Sequence, residues 1–230
     1  MVAFLKNLSF CDLKDLTLCR TKENCPKSLI DFLATVKALS VPHEKIEIND
    51  IAYCFGVNCG LSIKKRHEII SLAPVVADVC GSIGSQEVID IGAGLGYLSY
   101  LLAENHNYSV LAIEGSKEKI DSALGNQNSH HQSSKENITF LHHFITNDSQ
   151  DEIERAINKH FKISDRVCIC GLHACADLSI TILELFLKIK QVKSLVIMPC
   201  CYHRLKLEKE IDGRNIFQFS SECYVEIKVR

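Results

Sequence analysis

The chain has 230 residues, 47% apolar and 23% charged, a composition that excludes a disordered, collagenous or coiled-coil protein. A formal charge of −2, few aromatic residues and no tryptophan leave no strong electrostatic or stacking footprint for nucleic acid. No uninterrupted apolar stretch approaches ~18 residues, and Met1–Phe10 lacks an export signal, so no membrane association is expected and the twelve cysteines read as reduced thiols of a cytoplasmic or nuclear protein.

Residues 1–63 read as a helical N-terminal appendage. Leu29, Phe32, Leu33 and Val36 recur there at helical spacing, Ser28 stands where a cap would, and Pro42 ends the pattern. Residues 64–80 carry a second helical pattern through Ile69, Ile70, Ala73, Val76 and Val79, which Pro74 is expected to end or kink. From residue 86 strands and helices alternate. Strands are predicted at Glu87–Asp90, Ser109–Ile113, Asn137–Leu141, Arg166–Cys170 and Ser194–Met198. Helices are predicted around Leu98–Leu102, Lys117–Leu124, Ile153–Ile157 and Leu178–Ile189. Gly125–Asn137 is polar and reads as a mobile surface loop with His130 and His131 exposed. This order predicts an α/β fold over 64–230: a Rossmann-like, doubly wound, mainly parallel sheet with helices on both faces. Only Asn215–Phe219 and Tyr224–Val229 remain to close it. They read as a short hairpin or as remnants of a truncated C-terminal region, so the domain is taken as incomplete at its C-terminal strands.

The sharpest local signal is Asp90-Ile91-Gly92-Ala93-Gly94-Leu95-Gly96, which follows a strand and opens a helix. Glycines there permit positive φ and let a ligand touch backbone, and the helix N-terminus offers free N–H groups. Glu114 ends the second strand, where a carboxylate can accept from both hydroxyls of a ribose. A dinucleotide fingerprint requires a third glycine at position 97, which is Tyr97. A tight turn without a ligand is the bland alternative. The Gly-x-Gly-x-Gly pattern with an acid two residues before it looks like the first motif of class I S-adenosylmethionine (SAM) methyltransferases. That resemblance implies a cofactor site of Asp90, Gly92, Gly94, Gly96 and Glu114, with Asp90 positioning the methionine part.

Two further segments follow the fourth and fifth strands: Gly171-Leu172-His173-Ala174-Cys175-Ala176-Asp177-Leu178-Ser179 and Pro199-Cys200-Cys201-Tyr202-His203. In a doubly wound sheet they meet the glycine turn at one crevice. These segments, together with Lys64-Lys65-Arg66-His67-Glu68 and the Asp90–Ser99 stretch, resemble the methyltransferase-like protein 25 family. That family includes relatives named as ribosomal RNA adenine dimethylase domain-containing proteins. The His173 and Cys200–His203 segments are more distantly similar to a eukaryotic tRNA 2′-O-methyltransferase family. The resemblance implies SAM-dependent methyl transfer to an unidentified acceptor, with RNA as the family-level candidate. It also implies family members that continue beyond position 230. No Asn/Asp-Pro-Pro-aromatic motif follows the fourth strand, so amino-directed dimethylation gains no support from these residues.

Gly171 and His173 join the expected cofactor crevice, and His173, Asp177 and His203 are the catalytic candidates. His173 is the candidate base, since histidine titrates near neutrality; packing beside the crevice is its alternative. Asp177 reads first as the N-cap of the helix that starts at Leu178, with substrate or cofactor contact as its alternative. Tyr202 and His203 read as substrate contacts or as crevice wall. Lys64, Lys65 and Arg66 place three cations at the positive end of a helix, each unfavourable by roughly 0.3–1 kcal/mol, which a phosphate would offset. Lys64, Lys65 and His67 are therefore substrate candidates beside a plain solvated loop. His173, Cys175, Cys200, Cys201 and His203 form a rival metal-binding set. Their spacing is unlike a paired-cysteine knuckle and adjacent cysteines rarely share one ion, so no metal is assigned. Two other functions stay open: a SAM-binding scaffold without turnover, and a Cys/His metal-binding module.

Overall fold

The structure, a computed structural model, describes residues 2–17, 19–21, 24–39, 61–162, 165–201, 204–205, 209–211 and 214–216. The chain divides into two compact units, Met1–Asn49 and Asp50–Arg230.

In the first unit, helices α1 (Val2–Lys6), α2 (Phe10–Thr17) and α3 (Lys27–Leu39) surround a small core. Cys25, Leu29 and Leu33 are buried, with Phe4, Leu5, Leu16 and Cys19 packed on them. Helix α3 starts before Ser28, because the Pro26 carbonyl already accepts from Leu29 and Ile30 N–H. Ser28 is thus inside the helix and does not cap it. Only half of the expected stripe is covered: Phe32 is 58% exposed. Pro42 lies outside the described residues.

The second unit opens with α4 (Ile63–Ile83), which continues past Pro74 and does not end there. Ile69, Leu72, Ala73, Val76 and Cys80 are buried on both sides of the proline. Burial of that stripe outweighs the one lost helix bond. Five strands follow with intervening helices: β1 (Glu87–Ile91), α5 (Tyr97–His106), β2 (Ser109–Glu114), α6 (Lys117–His130), β3 (Ile138–His142), α7 (Gln150–His160), β4 (Val167–Leu172), α8 (Asp177–Lys188) and β5 (Val192–Met198). The sheet order is β3-β2-β1-β4-β5, and every pairing is parallel. This is the Rossmann-like α/β fold expected from the sequence.

β1 is buried on both faces, and its alternation splits the core. Val88 packs with α4 and α5, while Ile89 and Ile91 pack with α7 and α8. The chain leaves β1 toward β2 on one side and returns beside it as β4 on the other. That reversal opens a crevice outside the carboxyl ends of β1 and β4.

One expectation fails within this unit. Gly125–Asn137 is not a loose loop: α6 continues to His130 and a 3-10 turn covers Gln132–Ser134. His131 is buried there, stacked on Tyr100 at 4.1 Å between ring centroids, with its Nδ1 2.9 Å from Glu104 Oε2. Local polarity misled because the polar groups are satisfied by one another, as in Gln127 Nε2 donating to Ser134 Oγ at 3.2 Å. Beyond β5 a short hairpin pairs β6 (Lys209–Ile211) antiparallel with β7 (Arg214–Ile216); the expected pairing of Asn215–Phe219 with Tyr224–Val229 involves residues 217–230, which lie outside the described residues. No helix among the described residues is long and apolar enough to cross a membrane.

Candidate functional site

The turn after β1 is built from backbone. Gly92, Gly94 and Gly96 have φ of 76°, 60° and 81°, a region L side chains rarely adopt. The last two need glycine for different reasons. A Cβ on Gly96 would stand 2.9 Å from Phe140 Cζ, whereas one on Gly94 would meet nothing nearer than the Gly92 carbonyl at 4.0 Å. Gly94 therefore faces open space while Gly96 faces the core. Two N–H groups of the turn, on Gly92 and Ala93, donate to the Ile113 carbonyl at the end of β2.

Glu114 completes the turn. Its Oε2 accepts from Gly94 N–H at 2.9 Å, and its Oε1 accepts from Ser116 N–H at 3.0 Å and lies 3.5 Å from Lys119 Nζ. Asp90 is buried at the end of β1, with Ser99 Oγ donating to its Oδ2 at 2.7 Å. Burial pushes its carboxyl up to about 6; the Ser99 bond opposes this and the Glu114 charge adds to it.

Asp90 and the glycine turn border an open pocket of about 450 Å³, while Glu114, bonded to the Gly94 N–H, is not among its lining residues. Asp90, Gly92, Ala93 and Gly94 form one side, and Lys65, Tyr97, Lys119 and His173 stand around it with apolar neighbours such as Ile69 and Leu172. Gly96 is not among its lining residues. Nor is Gly171, where a Cβ would lie 3.2 Å from the Ile91 carbonyl, so this glycine allows β4 to close on β1.

The cationic segment divides. Ser62 caps α4, its Oγ accepting from Lys65 N–H at 3.3 Å. Lys65 reaches the pocket, its Nζ 5.6 Å from the Tyr97 ring centroid. Lys64 is exposed and 3.7 Å from Glu68 Oε1, and His67 is exposed and outside the pocket lining.

The rim after β4 is built from side chains on strained backbone. His173 has φ 61°, and Ala176 has φ 55° with ψ −141°. Such residues persist only where surrounding contacts hold them. His173 N–H donates to the Met198 carbonyl at 3.1 Å, tying the loop to β5. Its ring Nε2 lies 2.9 Å from Glu68 Oε2 and its Nδ1 3.3 Å from Cys200 Sγ. Cys175 Sγ is 3.0 Å from Cys200 Sγ, which is 3.6 Å from Cys201 Sγ. Hydrogen bonds to Cys175 and Cys201 push the Cys200 thiol up to about 12. Cys175 is shifted down: its slight burial pushes it up, and bonds from Cys200 and Cys201 outweigh that. Asp177 is the first residue of α8, and the cap position belongs to Ala176, one residue earlier than expected. Tyr202 and His203 lie outside the described residues.

Lys119 was not among the residues singled out for this site; Glu68, like His67, reads from the sequence as able to reach the crevice from α4, with its direction left open. Glu68 carried a signal: it neighbours Ile69 on the buried stripe of α4, where an acid without a partner would be costly.

Residues 64–208, well over half of the chain, match a family model described as a methyltransferase domain. The chain belongs to this methyltransferase family. Over 56 residues, 24% of this chain, it is 32% identical to the human "Probable methyltransferase-like protein 25", and that stretch covers 9% of the relative's length. Among solved structures, it is similar to a putative caffeoyl-CoA O-methyltransferase from Staphylococcus aureus, at 14% identity, 79% of this chain, 66% of that chain and a TM-score of 0.40. It is also similar to M. capricolum TrmK in complex with S-adenosylhomocysteine, at 23% identity, 60% of this chain, 51% of that chain and a TM-score of 0.39.

Proposed function

We propose that this chain binds SAM in the pocket at the ends of β1 and β4 and transfers its methyl group to an acceptor that enters past Lys65 and His173. The observation that carries this reading is the Gly94 face: open space above a positive-φ glycine whose N–H is fixed by Glu114. A flat nucleoside can lie there against backbone. Glu114 already accepts three donors, yet a carboxylate has about four lone-pair sites, so its geometry leaves room for a ribose hydroxyl. Asp90, buried and raised by that burial, suits a ligand bearing cationic groups. A dinucleotide fits less well, because the buried ring of Tyr97 fills the position that its third glycine leaves open.

SAM supplies a methyl group activated by its sulfonium, which leaves the protein chiefly to align the attacking atom. Tyr97, Lys65 and Leu172 border the space in which that alignment occurs. His173 has both ring nitrogens engaged, by Glu68 and by Cys200, so its place in this proposal is to fix the rim that the acceptor meets. A base role would require the Cys200 contact to open. Asp177 supports the positive end of α8.

RNA is the proposed acceptor class. Its support is the first turn of α4, where Lys64, Lys65 and Arg66 crowd a positive helix end. The test is transfer of a radiolabelled methyl group from SAM to RNA and protein fractions of cells that lack the protein. Nuclease-sensitive label supports the RNA reading, label confined to protein overturns it, and SAM binding without label in any fraction overturns the transfer step itself.

A further inference from the structure

The described cysteines of the second unit serve two different purposes. Cys80, Cys168 and Cys170 are buried and act as small core side chains. Cys175, Cys200 and Cys201 are not in that core: Cys200 is exposed and the other two are half-buried. Their sulfurs face one another instead of apolar groups, all within 4.8 Å. Packing alone does not account for three thiols converging at an accessible rim.

We propose that Cys175, Cys200 and Cys201 hold one zinc ion as thiolates, with its fourth position open to water at the edge of the pocket. Two thiolates on a tetrahedral zinc, each with Zn–S of ~2.3 Å, stand ~3.8 Å apart. The adjacent pair Cys200–Cys201 is at 3.6 Å, so the neighbouring positions in sequence do not prevent both sulfurs from meeting one ion. Cys175 and Cys200, at 3.0 Å, need to part by less than an ångström-scale shift of ordinary side chains. The Cys200 backbone N–H already points at Cys175 Sγ, at 3.2 Å, a donor suited to a metal-bound thiolate.

The surroundings are arranged as supports for ligands. Glu68 holds one nitrogen of His173, and the other nitrogen faces Cys200 Sγ. An N–H donated by the Nδ1 of His173 to the Cys200 thiolate, with Glu68 holding the ring, is an outer hydrogen bond of the kind that orients ligands in metal sites. His173 is outside the group of atoms that converge within 4.8 Å, so it acts here on a ligand and is not one. The ion would join the loop after β4 to the segment after β5 and hold the strained backbone at His173 and Ala176 in place. Binding releases the thiol protons to solvent and involves no change in oxidation state.

The full chain, purified in reducing buffer without chelator and loaded with zinc chloride, is analysed for zinc after dialysis. One zinc per chain is expected, and a Cys175→Ser, Cys200→Ser, Cys201→Ser triple variant is expected to hold none. A Cys11→Ser, Cys19→Ser variant is expected to keep its zinc. Cobalt loading reads the ligands directly, because each lost thiolate removes part of the sulfur-to-cobalt charge-transfer absorbance. His173→Ala is expected to keep the wild-type cobalt spectrum while metal affinity falls about 10–100-fold. A wild-type chain that retains no zinc overturns the proposal, as does equal zinc in the triple variant. Loss of two hydrogens through a Cys175–Cys200 disulfide in the reduced preparation also overturns it. None of these readouts involves SAM, so their failure is separate from failure of the methyl-transfer reading.

Discussion

Two loops at the carboxyl ends of adjacent strands prepare opposite kinds of surface. The turn after β1 presents backbone: positive-φ glycines, N–H groups and one carboxylate that fixes them. The loop after β4 presents side chains: an imidazole and a thiol, on backbone that L residues seldom adopt. The first is rigid because strands and the start of a helix define it. The second is held by contacts from two other elements, α4 through Glu68 and the end of β5 through Met198 and Cys200. A nucleoside needs the first kind of surface and a reacting group or ion needs the second.

The largest test of this contrast is on the backbone side. Asp90 goes from 3.8 to about 6 on burial, so ionising it opposes folding. Because the folded value is the higher one, its stabilising contribution is complete below pH 3.8 and is lost as pH rises through about 6. Asp90→Asn is therefore expected to stabilise the ligand-free chain by about 3 kcal/mol at pH 8 and by about half that at pH 5. Urea titrations at the two pH values read the difference. Equal stability at both pH values would mean that Asp90 stays neutral or is solvated. The same variant should bind SAM more weakly and lose the rise in affinity between pH 5 and 7.

Glu114→Ala comes next. It leaves the Gly94 and Ser116 N–H groups without their acceptor, an expected cost of about 2 kcal/mol. SAM affinity should fall about 30-fold, which calorimetric titration resolves. Unchanged affinity would move the ribose elsewhere.

Smaller effects separate the glycines. Gly94→Ala places a side chain at φ 60°, an expected cost of about 1–2 kcal/mol, and should block the ligand. Gly96→Ala adds the 2.9 Å approach to Phe140 and should cost more stability. If Gly94→Ala binds SAM normally, that face is not the ligand's. Smallest is Ala176→Gly, expected to raise stability by about 1 kcal/mol as φ strain is relieved. Destabilisation by this variant would show that the side chain at 176 contributes packing instead.

The sequence was most legible where function is written in backbone requirements. Asp90–Gly96 announces its turn because the glycines and the acids sit at fixed offsets from a strand, and the structure places Asp90, Gly92 and Gly94 at one pocket. Gly96 and Gly171 illustrate the limit: both read as cofactor residues, and that their missing side chains answer to packing against Phe140 and Ile91 was not readable. The rim was harder. Glu68 and His173 are 105 positions apart, and only the folding of α4 onto the sheet brings them together. Local composition also failed at His131, where burial against Tyr100 depends on a helix that continues through a polar stretch. Pro74 was overruled by the apolar stripe on either side of it.

The most direct measurement is thermal unfolding of the full chain and of Glu114→Ala with SAM, S-adenosylhomocysteine and NAD. At 100 times its dissociation constant a ligand of the folded state adds ~2.7 kcal/mol. The wild-type melt should rise with both sulfur ligands and stay unmoved by NAD, and Glu114→Ala should lose most of the rise at the same concentrations. A cooperative melt that neither sulfur ligand shifts, or one that NAD shifts as strongly, would contradict the assignment of the β1 pocket to SAM.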